Sequence, residues 1–141
     1  MPDHAIEATP LTRGLGGGTV IRLDIGLSFW GGTDAAGVVV DAHHPQLGRS
    51  VAGHVLAMRS GRGSSSSSSV LAELIRSGHG PSAIVLARPD AIIALGAIVA
   101  DELYAIAVPV VVVTEEEFDA VRGLVAVESD PDLGTASVTI R

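Results

Sequence analysis

The chain has 141 residues and a mass of 14.3 kDa, enough for one domain but too short for two lobes with a cleft between them. Hydrophobic residues make up 47% and charged residues only 18%, below the roughly 25% charged in an average globular protein, so a core can form beneath a sparse polar coat and a buried partner surface is expected. Nine Arg, no Lys and sixteen acids leave a net charge of -7, which argues against nucleic acid as a partner.

The opening MPDHAIEATP has acids and a proline where a signal peptide has a basic start and an apolar run, so the expected location is the cytoplasm. Thr19 to Ile25 alternates apolar and polar residues and predicts the first strand, with GLGGG as a flexible approach. After the loop GLSFWGGTDAAG, Val38 to Asp41 and Val51 to Met58 predict two more strands around HHPQLGRS. Val70, Leu71, Leu74 and Ile75 recur at helical spacing, with Gly78 where a left-handed C-terminal cap falls.

Ala83 to Ala87 and Val108 to Val113 are unbroken apolar runs of strand length, as in a parallel sheet buried on both faces. Between them Asp90 caps a predicted helix over about Ala91 to Leu103. Its apolar region is broken by Asp101 and Glu102, short of the ~18 residues a membrane span needs, so no membrane partner is expected. Thr114 and Glu117 stand three apart as in a capping box and start a short helix that stops at Gly123. Val125 to Val127 and Thr135 to Ile140 complete an α/β fold with a mixed sheet system and no internal repeat.

The strongest anomaly is RSGRGSSSSSSVLAELIRSG, six serines between a glycine turn and a helix. Such a run suits a flexible linker, but here it joins a strand to a helix within one small domain, where a linker has no role. Gly61 and Gly63 let backbone approach a ligand, Arg59 and Arg62 bring positive charge, and a helix start offers unpaired N–H groups. This combination describes an anion site for a small carboxylate or phosphate-bearing substrate. It is not a P-loop, because no Lys follows the glycines.

Other candidates carry weaker signals. His43 and His44 are adjacent, so on an extended chain they point apart and cannot readily share a metal ion; structural or interface roles are expected, and no metal ligand is assigned in this chain. Asp41 and His43 share a face and form a candidate structural pair. Phe29 and Trp30 fit either an interface anchor or a loop folded onto the core. Glu115 to Glu117 suits the first turn of a helix and receives no functional role. The absence of cysteine excludes a disulfide framework, a thiol nucleophile and a cysteine-ligated iron–sulfur cluster within this chain.

GRGSSSSSSVLAELIRSGHGPSAIVLARPDAIIALGAIVADEL, together with LSFWGGTD and the DAHHP-Q-G stretch, resembles the swivel domain of the aconitase X family over about residues 19 to 113. The resemblance implies a swivelling β/β/α domain, here one domain over residues 1–141 like the family's separate small subunits. The glycine-serine motif is similar to the G-x-G-S-S turn of ordinary aconitases, whose first serine moves the substrate proton. Ser64 is thereby expected to be catalytic, with Arg62, Gly63, Ser65 and Ser66 binding substrate and Ser67 to Ser69 facing solvent or capping the helix. The family places an iron or iron–sulfur centre on a large subunit, the implied partner, and none on this chain. Its substrates imply a hydro-lyase acting on cis-3-hydroxy-L-proline or, in archaea, on phosphomevalonate; the bacterial character of the resemblance and the lysine-free composition favour the first. A non-catalytic swivelling carrier is the rival reading, but a carrier needs a phosphorylatable histidine at the turn and none lies between Arg59 and Gly78.

Overall fold

The structure, a computed structural model, describes residues 3–141, so Met1 and Pro2 of the expected 1–141 span lie outside the described residues. Seven strands, β1 (His4–Thr12), β2 (Gly14–Arg22), β3 (Val55–Ala57), β4 (Ala83–Leu86), β5 (Val110–Val112), β6 (Leu124–Asp130) and β7 (Thr135–Ile140), alternate with four helices. The helices are a short turn α1 (Phe29–Gly32), then α2 (Ser66–Arg76), α3 (Ala91–Tyr104) and α4 (Glu115–Phe118). The strands close into a barrel in the order β1-β5-β4-β3-β2-β6-β7. One wall, β2-β3-β4-β5, is parallel; the rest, where β1, β6 and β7 meet each other, β2 and β5, is antiparallel. The mixed α/β architecture with short helices agrees with the expected class.

The parallel wall explains the unbroken apolar runs. Side chains alternate across a strand, so Val55, Ala57, Ala83, Val85, Val111 and Val113 enter the barrel core, while Leu56, Met58, Ile84, Leu86 and Val110 face outward into a second core. That outer core is completed by Leu71, Leu74 and Ile75 of α2 and by Ile93, Ala97 and Ala100 of α3. A two-sided sheet of this kind needs apolar residues at every position. The third layer is therefore a pair of packed helices.

Several expected elements shift. β1 was not anticipated, and the glycine approach is itself strand: Gly16 lies against the Ser82 carbonyl and Ala83, so the barrel closes there only without a side chain. Val38 to Asp41 makes only isolated bridges, Thr33 with Val39 and Val38 with Ser50, and the run from Val51 to Met58 narrows to β3. The helix expected from Val70 begins at Ser66. Its end is as expected: Gly78 has φ +80, its N–H donates to Ile75 O and that of His79 to Leu74 O, the two bonds of a Schellman motif. Asp90 caps α3 through Ile92 N and Ile93 N, and Thr114 caps α4 through Glu117 N.

Candidate functional site

Because β2, β3, β4 and β5 are parallel, their C-terminal ends share one edge, and all four helices start from the loops that leave it. Open parallel sheets bind ligands at this edge. The loops are tied together there: the Arg62 N–H donates to Leu27 O at 3.2 Å, and those of Ala87 and Arg88 to Arg59 O at 3.0 Å. Asp90 adds a cross-link, since its Oδ2 accepts from the Gly61 N–H at 3.2 Å while Oδ1 caps α3. The glycine-serine turn is thus fixed to the start of the neighbouring helix.

Within this turn Arg62, Gly63, Ser64, Ser65 and Ser66 are all exposed, so the structure brings the expected site residues together on one surface. Ser65 occupies the N-cap position in right-handed helical conformation without a side-chain cap bond. The N–H groups of Ser64, Ser65 and Ser66 find no acceptor among the described residues. An exposed helix start with free N–H groups and a neighbouring guanidinium attracts an anion. The glycines have a packing reason as well. Gly63 has φ +101 and lies against the Ser28 side chain, and a Cβ on Gly61 would stand 2.7 Å from both Asp90 Oδ2 and Ile93 Cδ1.

The arginines separate. Arg62 is exposed, its stem lying close to Gly26. Arg59 instead pairs with Glu115 at 3.0 Å and Asp119 at 3.3 Å and stacks over the Phe118 ring at 5.0 Å. Arg22 covers the same ring at 4.6 Å and donates to Phe118 O and Val121 O; burial first, and Arg122 second, lower its pKa from the usual guanidinium value. The expected contribution of Arg59 to the anion site is thereby corrected, and Glu115 has a role, holding Arg59 and, at 3.6 Å, Arg88.

The later serines require a second correction. Ser67 and Ser68 are 3% and 6% exposed and do not face solvent; only Ser69 does. Ser68 Oγ donates to Ile92 O at 2.6 Å, joining α2 to α3, and Ser67 Oγ reaches Ser28 Oγ and Trp30 N. Helical spacing contained the signal: Ser67, Leu71 and Leu74 share a face, as do Ser68, Ala72 and Ile75, once the helix is started at Ser66. Phe29 is core at 1% exposure, as a loop folded onto the core requires, whereas Trp30 is 61% exposed beside the turn.

His44 is buried; its Nδ1 accepts from the Gln46 N–H, which leaves Nε2–H to donate to Ile25 O at 3.2 Å. This is a structural histidine that locks the 38–50 loop onto the 23–28 loop. Asp41 Oδ1 accepts from the His43 backbone N–H, and the two side chains form no pair. Among the described residues no three His, Cys, Asp or Glu side chains gather as a metal site, and no helix is long and apolar enough to cross a membrane. Two grooves lie elsewhere: one of about 640 Å³ involves Arg13, Glu128 and Thr135, and one of about 550 Å³ follows α2 past Ser69 and His79. Arg62 to Ser66 line neither groove and are all exposed.

Compared with known proteins, the chain is 48% identical over 108 residues to cis-3-hydroxy-L-proline dehydratase of Pseudomonas aeruginosa, covering 76% of this chain and 19% of that protein. It therefore spans about a fifth of that relative's length. It is 38% identical over 96 residues to the phosphomevalonate dehydratase small subunit of Methanothermobacter thermautotrophicus, covering 67% of this chain and 73% of the other. The crystal structure of Thermococcus kodakaraensis aconitase X in its holo form superposes with a TM-score of 0.80 at 30% identity over 98% of both chains. The family model for the aconitase X swivel domain matches residues 5–138, beyond both ends of the resemblance in the sequence and including most of β1, all of β6 and most of β7. With the family's barrel, paired helices and glycine-serine turn all in place, the chain belongs to the aconitase X swivel-domain family.

Proposed function

We propose that this chain is the swivel-domain small subunit of an aconitase-like hydro-lyase, and that Ser64 is the base of an active site completed by a large subunit. The observation that carries this reading is the placement of Ser64: an exposed hydroxyl at a helix start where three backbone N–H groups lack acceptors. Serine is a weak base unless its alkoxide is stabilised, and fixed N–H dipoles with a nearby guanidinium provide such stabilisation. Arg62 and the free N–H groups of Ser65 and Ser66 bind the substrate's anionic group, and Gly63 provides the bend.

In the reaction Ser64 Oγ takes the proton from the substrate carbon next to the carbon bearing hydroxyl. The electrons of that C–H bond form the C=C bond, and the C–O bond breaks. Departure of hydroxide falls to the partner, which the family resemblance makes the bearer of an iron centre. This chain has no cysteine and no metal-ligand cluster among the described residues, so its own residues do not fit that group and no step on this chain uses it.

The favoured substrate is cis-3-hydroxy-L-proline, whose dehydration yields an enamine that tautomerises to a cyclic imine; the 48% identity to a dehydratase named for it supports this choice. Phosphomevalonate is the second reading, favoured by the match over 73% of a relative that is itself a small subunit. Assaying the assembled complex with each compound separates the two. In the complex, Ser64→Ala should lower turnover at least ~100-fold without loss of assembly. Ser69→Ala, at an exposed position outside the turn, should retain turnover. Near-normal activity of Ser64→Ala would remove the base assignment.

A further inference from the structure

Three hydrogen bonds beside the serine turn close a ring. Ser28 Oγ donates to Trp30 O at 2.9 Å. A hydroxyl carries one proton, so the 3.3 Å contact between Ser28 Oγ and Ser67 Oγ is donated by Ser67. Ser67 Oγ in turn accepts from the Trp30 N–H at 3.4 Å. The donors therefore run in one direction, from the Trp30 N–H through Ser67 and Ser28 to the Trp30 carbonyl, with every proton committed. Ser67 is nearly fully buried, and an unmade bond is most costly at such a position.

The ring is also the wall behind the turn. A Cβ on Gly63 would collide with Ser28 Oγ, stand 2.9 Å from Ser28 Cβ and lie 3.2 Å from Ser67 Oγ, so the two hydroxyls press directly on the residue before Ser64. On its other side the ring holds the backbone of Trp30, whose indole is exposed. The two bonds that involve Ser67, at 3.3 and 3.4 Å, are longer than the Ser28–Trp30 bond and are the weaker links of the ring.

We propose that Ser28 and Ser67 are positioning residues for Ser64, and that their ring transmits contact at Trp30 to the serine turn. The inference rests on the reading in which Ser64 is the base. In the complex with the large subunit, Ser28→Ala and Ser67→Ala should each lower kcat about ten- to 100-fold, as small misplacements of reacting groups do, with KM unchanged. Trp30 is the sole tryptophan, so its fluorescence anisotropy in the isolated full chain reads the ring directly. Both variants should lower that anisotropy while far-UV circular dichroism stays the same. If buried Ser67→Ala unfolds the chain, half-buried Ser28→Ala breaks the same ring and carries the same expectation. Unchanged anisotropy, or wild-type kcat in a folded variant, overturns the proposal. Because the Trp30 measurement needs no turnover, it is independent of Ser64→Ala, whose retained activity would instead overturn the reading beneath.

Discussion

Arg59 and Arg62 stand three residues apart on one turn and have opposite surroundings. Arg59 is occupied by Glu115 and Asp119, at the two ends of α4, and by the Phe118 ring. Arg62, two residues before Ser64, is exposed and its stem lies close to Gly26. A charge-assisted hydrogen bond contributes about 1.5–3 kcal/mol, roughly ten- to 100-fold in affinity. Arg62→Ala should therefore raise KM by about that factor in the complex. Arg59→Ala should leave KM unchanged and lower stability by less than about 1 kcal/mol, because its ion pairs are exposed. Steady-state kinetics with urea denaturation checks both; equal KM effects would mean that the sorting of the two charges is wrong.

At the scale of elements, the site depends on α2 and α3 starting together. Asp90 caps α3 with one oxygen and holds Gly61 with the other, and Ser68 ties α2 to the Ile92 carbonyl in the same first turn of α3. Losing an N-cap costs about 0.5–2 kcal/mol, and Asp90→Ala also frees the Gly61 N–H, so a loss of about 2 kcal/mol in urea unfolding is expected. A loss within error would mean that water replaces both contacts. These helix boundaries were the legible part of the sequence: Asp90, Thr114 and Gly78 act locally, through residues within a turn of themselves. The strands of the parallel wall were legible for a different reason, since burial on both faces leaves no polar position in them. β1 was not, because Pro10 and polar residues hide a strand whose pairing with β5 and β7 lies about a hundred residues away in sequence. The burial of Ser67 and Ser68 was hidden by serine's usual preference for turns and exposure. Gly63 and Ser64 stand out in the sequence through motif and resemblance, and the contact of Gly63 with Ser28 is a tertiary fact that local pattern does not encode.

For the whole molecule, the barrel presents the serine turn at one open edge, backed by Ser28 and Ser67 and exposed in front. The proposed base Ser64, the unpaired N–H groups of Ser64 to Ser66 and the exposed Trp30 share that edge, and in the proposed reaction a second surface covers them and excludes water. Amide exchange tests this directly. In the isolated chain the unpaired N–H groups of Ser64 to Ser66 should exchange quickly, as should exposed Gly31 next to Trp30, whereas β6 and β7 are already protected by their ladder. Adding the large subunit should slow exchange across residues 28–33 and 64–66 and leave the β6–β7 ladder unchanged. If protection appeared instead on the β6–β7 hairpin, at exposed Leu124 or Leu133, while the serine turn kept its rate, the partner would sit away from Ser64. The shared active site would then have no structural basis.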